Sequence, residues 1–215
     1  SNSEFVHHSP CEQCGSSDAN SVYSDGHSYC FSCLTWNAGN GEPAHTHTQM
    51  SNVHLQGSAE RLQKRNISEK VCQQYKIYRD GENLRFHYFD SSGVLKGVKK
   101  KNKQKVFTYE GEVPGTLFGQ HLFPATGKRV VITEGELDAA SCQEATPGWP
   151  VVSLPSGAAS ARKSVQRALE WLQGYEEIVL FFDNDEAGRK ATEEAAGVLP
   201  PGKAKIARLE AYKDA

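Results

Sequence analysis

The chain has 215 residues, 38% of them hydrophobic, and a net charge of −2, enough apolar material for a real core and too much for a disordered chain. No run of about 18 apolar residues is present to span a bilayer, and no charged-then-apolar leader opens the sequence, which argues against secretion. The near-neutral total does not exclude a nucleic-acid partner, because the distribution of charge matters more than its sum.

The first structured segment holds four of the six cysteines, as Cys11/Cys14 and Cys30/Cys33. Two Cys-x-x-Cys turns can close a tetrahedral shell of thiolates about 2.3 Å from one zinc ion. Such a shell leaves no open coordination position, so the zinc should be structural; a disulfide pair is the competing reading. The intervening stretch alternates around Asp25-Gly26 and predicts a short hairpin. Residues 1–36 thus read as a zinc ribbon. Asp25, His27, Tyr29 and Trp36 either share an exposed face that offers hydrogen bonds and stacking to unpaired bases, or serve as the module's small core. Cys72 and Cys142 read as ordinary, partly buried residues, and cysteine usage points to a reducing, cytoplasmic setting.

Residues 37–55, rich in Gly, Asn, Thr and His, read as a flexible tether with an r.m.s. span of about 25 Å. His45 and His47 lack Cys or carboxylate neighbours and read as solvated. Over 56–126 the pattern predicts two helices from Ala59 onward, the second capped by Ser68. Antiparallel strands with a Ser-Ser-Gly turn follow. Between Lys96 and Lys105 lie six lysines: either a solvated face or a phosphate-binding surface.

From Gly127 the order becomes strand (129–133), helix, strand (150–154), helix, strand (177–182), helix, strand (203–209). This predicts an α/β domain over 127–215 with a parallel sheet, whose ligands gather beyond the carboxyl ends of its strands. Glu134 follows the first strand, Asp183 and Asp185 follow the third, and Asp138 lies one helical turn past Glu134. Acids at the ends of two strands, with little to neutralise them except metal, describe a site for one or two Mg²⁺ ions, with Mn²⁺ able to substitute. Helix capping would explain any one of these acids, but not all of them.

The strings VVITEGELDA, VVSLPSGA and IVLFFDNDEAGRKA resemble the Toprim fold of DnaG-type primases, topoisomerases and some nucleases. With the ribbon in front, the whole chain is similar to the primase half of T7-like primase-helicases. That resemblance implies Glu134 as the central catalytic carboxylate and Asp183 and Asp185 as Mg²⁺ ligands. Asp214, in a KDAN-like ending, would be an outer one. It implies nucleotide or template contacts for Lys99 and Lys105, and reading of a template trinucleotide by the ribbon through Asp25, His27 and Trp36. The LPSGAAS segment departs toward the bacterial primase pattern.

The function these readings imply is DNA-templated synthesis of short RNA primers from ribonucleoside triphosphates on single-stranded DNA. The implied partners are a C-terminal hexameric helicase and a replicative DNA polymerase, with no membrane. With Ser1 in the place of an initiator Met and an abrupt finish at Ala215, the sequence reads as a fragment of something longer. The alternatives are a Toprim nuclease and a non-catalytic module binding single-stranded DNA. A topoisomerase would need a tyrosine-bearing DNA-gate domain for which 215 residues leave no room. No GxxxxGK[ST] loop is present for a helicase motor.

Overall fold

The computed structural model describes residues 4–33, 35–38, 53–112 and 115–208. They belong to two compact units, Ser1–Ser51 and Asn52–Ala215. Asp214, His45 and His47 lie outside the described residues.

The first unit is an antiparallel sheet of four short strands in sequence order, β1 (Phe5–Ser9), β2 (Asn20–Tyr23), β3 (Ser28–Cys30) and β4 (Trp36–Asn37). The expected hairpin joins β2 to β3, with Gly26 at φ 85° in its turn and Tyr23 N–H donating to His27 O at 2.9 Å. Among the described residues of this unit the buried side chains are Ser21, Ser28, Cys11 and Cys30, while Phe5, Val6, Phe31 and Trp36 are exposed. The question left open by the sequence is settled for Trp36: it is displayed, not used as core. Buried hydroxyls and thiols offer little hydrophobic drive to fold, so a metal on the four thiols would add to the stability of so small a unit.

The second unit opens differently from the expected helix pair. Gln63–Arg65 form one 3₁₀ turn, stopped by Asn66 at φ 53°. Leu62 and Ile67 bridge across it, with Leu62 N–H donating to Ile67 O at 2.9 Å. Asn is among the few residues that enter the left-handed region readily, so the chain closes a loop here and does not continue as helix. Helix α1 (Glu69–Tyr75) then forms with the expected cap, Ser68 Oγ accepting from Val71 N–H.

A meander of β5 (Ile77–Asp80), β6 (Asn83–Phe89), β7 (Leu95–Lys101) and β8 (Phe107–Gly111) follows. Pairing places Lys99 opposite Phe86 and Tyr109, and Lys101 opposite Leu84 and Phe107, so these six share one face. Lys100, opposite Arg85 and Thr108, takes the other. Gly97 fixes this register: a Cβ there would stand 2.3 Å from Glu112 O.

The last sheet is parallel, in the order β10 (Val151–Ser153), β9 (Gly127–Thr133), β11 (Tyr175–Phe181), β12 (Ala204–Ile206). Helices α2 (Glu136–Ala145), α3 (Ala161–Arg167), α4 (Leu169–Leu172) and α5 (Glu186–Ala196) complete it; the helix expected over 161–174 is thus divided at Ala168. Both faces are covered, as a parallel sheet requires. Val130, Ile132, Ile178 and Leu180 pack with Val165, Leu172, Ala191 and Ala195. Val131, on the opposite face, packs with Ala139, Ala140, Tyr75, Phe86 and Tyr88. The chain leaves β9 for β10 on one side and returns to β11 on the other. The carboxyl end of β9 is therefore the switch point where an open α/β sheet leaves a crevice.

Candidate active site and metal centre

The crevice at that switch point is built from the TEGE loop. Thr133, buried at the end of β9, donates through Oγ1 to Gly135 O at 3.1 Å and Val152 O at 3.3 Å, which folds the loop back over the strand. Glu134 sits next, and its Oε2 is buried without a hydrogen-bond partner. Burial first, then the charges of Asp183 and Asp185, push the Glu134 carboxyl above the usual range, while backbone N–H groups of Ala158 and Asp183 pull the other way.

Asp185 caps α5, its Oδ1 accepting from Gly188 N–H at 2.9 Å. Gly188 is required there, because a Cβ would stand 2.0 Å from Asp183 O. Gly188→Ala should therefore displace Asp183 and lower thermal stability by about 1–3 kcal/mol; an unchanged melting temperature with unchanged activity would contradict it. Capping accounts for Asp185 but not for Glu134, since the cap position of α2 is Gly135, with no side-chain bond.

Positive charge approaches this edge as well, which corrects the expectation that metal alone would neutralise the acids. Arg65, at the end of the 3₁₀ turn, donates to Asp138 Oδ1 at 2.5 Å. Burial nonetheless raises the Asp138 carboxyl, against the pull of Arg65. Lys99 Nζ donates to Glu136 Oε1 at 2.7 Å and Pro155 O at 3.0 Å, and Tyr88 Oη donates to the same Glu136 oxygen at 2.6 Å. Together Arg65, Lys99, Lys101, Phe107, Tyr109, Glu134, Glu136, Asp138 and Gly157 line a cleft of about 290 Å³. A roomier groove of about 650 Å³ shares Arg65 and Leu137 with it. Two of that groove's cations are already paired, Arg79 with Glu60 and Lys103 with Glu82, and it brings no cluster of acids together.

In the ribbon the four cysteine sulfurs lie within 4.8 Å of one another. Cys11 and Cys33 Sγ are 3.6 Å apart, and Cys14 and Cys30 Sγ 3.7 Å apart. Sulfurs about 2.3 Å from a tetrahedral centre would be about 3.8 Å apart, so the cluster suits zinc. The thiols differ: the Thr35 hydroxyl against Cys33 pulls that one down to about 6, while burial pushes Cys30 up to about 11.

A family model described as Toprim-like matches residues 131–215. The DNA helicase/primase of Enterobacteria phage T3 is 38% identical over 225 residues, covering 95% of this chain and 40% of that protein. The crystal structure of the primase fragment of the bacteriophage T7 primase-helicase protein is also 38% identical; the alignment has a TM-score of 0.70 and covers 98% of this chain and 92% of that one. The chain belongs to the T7-like phage primase family. A second T7 structure, of the lagging-strand DNA polymerase interacting with primase domains of two subunits bound to an RNA/DNA hybrid and dTTP, is 41% identical at a TM-score of 0.68. It covers 74% of this chain and 83% of that one. The chain spans 40% of the length of the T3 relative.

Within this primase-family fold, Glu134 gathers with Asp183, Asp185 and Asp138 as the sequence predicts. Lys99 reaches the cleft. Lys105 instead occupies the turn between β7 and β8 at φ 63° and is not among the cleft's lining residues; Lys101 takes that place. The lysine run is thus sorted by strand alternation, with Lys96 held by Asp90 and Lys100 by Glu110 away from the cleft. Asp25 Oδ1 lies 2.5 Å from His27 Nδ1, Tyr23 stacks on His27 at 4.3 Å, and Trp36 follows at 6.1 Å, so His27 and Trp36 join a strip with Tyr23, which the sequence did not single out, while Tyr29 packs edge-on against Phe31.

Sequence reasoning missed Arg65, Tyr88, Lys101 and Glu136. For Lys101 the signal was available in the two-residue period. For Glu136, Lys99→Met supplies a test. It leaves a buried carboxylate unpaired and should cost about 3–5 kcal/mol, with much of the loss recovered by adding Glu136→Gln. Equal melting temperatures for parent and Lys99→Met would refute the pairing.

Proposed function

We propose that this chain is a DNA primase, a nucleotidyltransferase that joins ribonucleotides on single-stranded DNA. The carrying observation is Glu134: a carboxylate with a buried, unpartnered oxygen, beside two further acids, at the sheet's switch point. The donor set is all hard oxygen, which fits magnesium. Glu134, Asp183, Asp185 and Asp214 would hold Mg²⁺ or Mn²⁺, and the ion would bring triphosphate and 3′-hydroxyl together and offset developing charge. Glu134, with its raised carboxyl, is suited to accept the proton of the attacking 3′-hydroxyl. Lys101 and Arg65 offer positive charge at the cleft wall, where phosphates would sit. Lys99 positions the TEGE loop through Glu136, and Lys105, in the turn between β7 and β8, would be left for the template strand.

The ribbon, holding zinc through Cys11, Cys14, Cys30 and Cys33, would read the template trinucleotide with Asp25, His27 and Trp36. Its tether over 37–55 raises the local concentration of template at a weakly binding site. Among the described residues no helix is long and apolar enough to cross a membrane, consistent with a cytoplasmic enzyme. The T3 relative is a helicase/primase more than twice as long as this match. This chain would accordingly act joined to a hexameric helicase and hand primers to a replicative DNA polymerase.

The test is primer synthesis from labelled ribonucleotides on single-stranded DNAs that cover every trinucleotide in a fixed flank. Short RNA from a small subset of templates is expected. Cleavage of the templates in place of synthesis would overturn the reading.

A further inference from the structure

Strand β8 carries a feature that neither fold stability nor the acid cluster accounts for. Phe107 and Tyr109 are 42% and 51% exposed. Both point to the face shared with Lys99 and Lys101, and both line the catalytic cleft. Edge strands are usually kept short, charged or covered, and single exposed apolar residues are common. Here two aromatic side chains sit two residues apart on the open edge of the meander, on the wall opposite the TEGE loop.

Each ring has an ammonium as its cross-strand neighbour. Lys99 is paired with Tyr109, and Lys101 with Phe107. Lys99 Nζ lies 4.7 Å and Lys101 Nζ 5.6 Å from the Phe107 ring centre. The cations hold the Phe107 ring by cation–π attraction and add positive charge next to a flat apolar surface. A ring beside an ammonium is matched to a nucleotide, with a base to stack and a phosphate to neutralise. Alternate residues of one strand are about 6.8 Å apart, so the two rings offer separate surfaces to two neighbouring bases. An enzyme that begins a chain must hold two nucleotides side by side.

We infer that Phe107 and Tyr109 form a stacking wall that positions the bases of the two ribonucleotides being joined, an inference that rests on the primase reading above. The cleft of about 290 Å³ is open to solvent along β8, so the rings can meet bases whose phosphates and sugars extend beyond it. Stacking accepts every base, because each has a π-face, so the wall would serve all four ribonucleotides and leave selection to template pairing.

Phe107→Ala and Tyr109→Ala are the tests, with Phe107→Tyr as the conservative control. Each alanine variant should raise the KM for ribonucleotides about five- to a hundredfold, with a smaller effect on kcat and no change in the affinity for a short oligodeoxynucleotide. Phe107→Tyr should stay near the parent. Equilibrium dialysis of labelled ATP against the template-free chain should show the same loss of affinity. Phe107→Trp should add to the emission of Trp36, Trp149 and Trp171 a component that ATP quenches in excess of the parent's response, a readout that also guards against an alanine variant that fails to fold.

Unchanged KM and ATP affinity in both alanine variants would overturn the wall. Weakened oligodeoxynucleotide binding with unchanged ATP binding would assign the rings to the template and also overturn it. The two readings fail separately. If the parent makes no primer from any template but Tyr109→Ala still loses ATP, the primase reading falls and the nucleotide wall stands.

Discussion

Glu134→Gln should make no detectable primer and should melt at a higher temperature than the parent chain. The loss of activity follows from removing a carboxylate suited both to hold the metal and to take a proton; either role alone is worth roughly 100-fold or more in rate. The gain in stability follows from the sign of its titration. The Glu134 carboxyl is raised in the folded chain by burial and by Asp183 and Asp185. Its ionised form is therefore less favourable folded than unfolded, and stability falls as pH rises from the ordinary carboxylate range through the raised one. That cost grows as pH rises through the raised range toward neutrality, and an amide removes it. Thermal melts of parent and variant at neutral and mildly acidic pH check this. The gap should close on acidification, and Mg²⁺ should stabilise the parent more than the variant. A variant less stable than the parent at neutral pH would refute the strain assigned to this site.

Zinc removal, by a strong chelator or by Cys30→Ser, should unfold the Ser1–Ser51 unit and leave Asn52–Ala215 folded. Among its described residues the buried side chains of the first unit are Ser21, Ser28, Cys11 and Cys30, and structural zinc on four thiolates would contribute on the order of 10–16 kcal/mol to its folding. The second unit has two aliphatic and aromatic clusters of its own. Template-directed initiation should fall by more than about 100-fold, while extension of a preformed oligoribonucleotide annealed to template should largely survive. A single cooperative melt before and after chelation, or equal losses of initiation and extension, would contradict the division of labour.

Much of this architecture was legible because it is local. Strand–helix alternation after Gly127 follows from short apolar runs and helical periods, and the acids directly abut those runs. The two Cys-x-x-Cys turns are local as well. What escaped notice is long-range. Arg65 and Asp138 are 73 residues apart in sequence, Lys99 and Glu136 are 37 apart, and Tyr88 and Glu136 are 48 apart. No periodicity links such partners. The helix expected from Ala59 failed because Asn66 enters the left-handed region and Ile67 pairs back to Leu62. That same break carries Arg65 to the cleft, so the misread element and the missed site residue have one cause.

The register that Gly97 fixes in β7 has an evolutionary consequence. Lysines 99, 100 and 101 look interchangeable as a string, yet they answer to two selective regimes interleaved at a period of two. Drift at position 100 is limited only by a surface ion pair with Glu110, which keeps Arg85 as a partner when Lys100 is lost. Drift at 99 and 101 is limited by the cleft. Across descendants of this gene, substitutions should therefore accumulate at the even position and be purged at the odd ones. An insertion of one residue between Gly97 and Lys99 would exchange those roles and be lost.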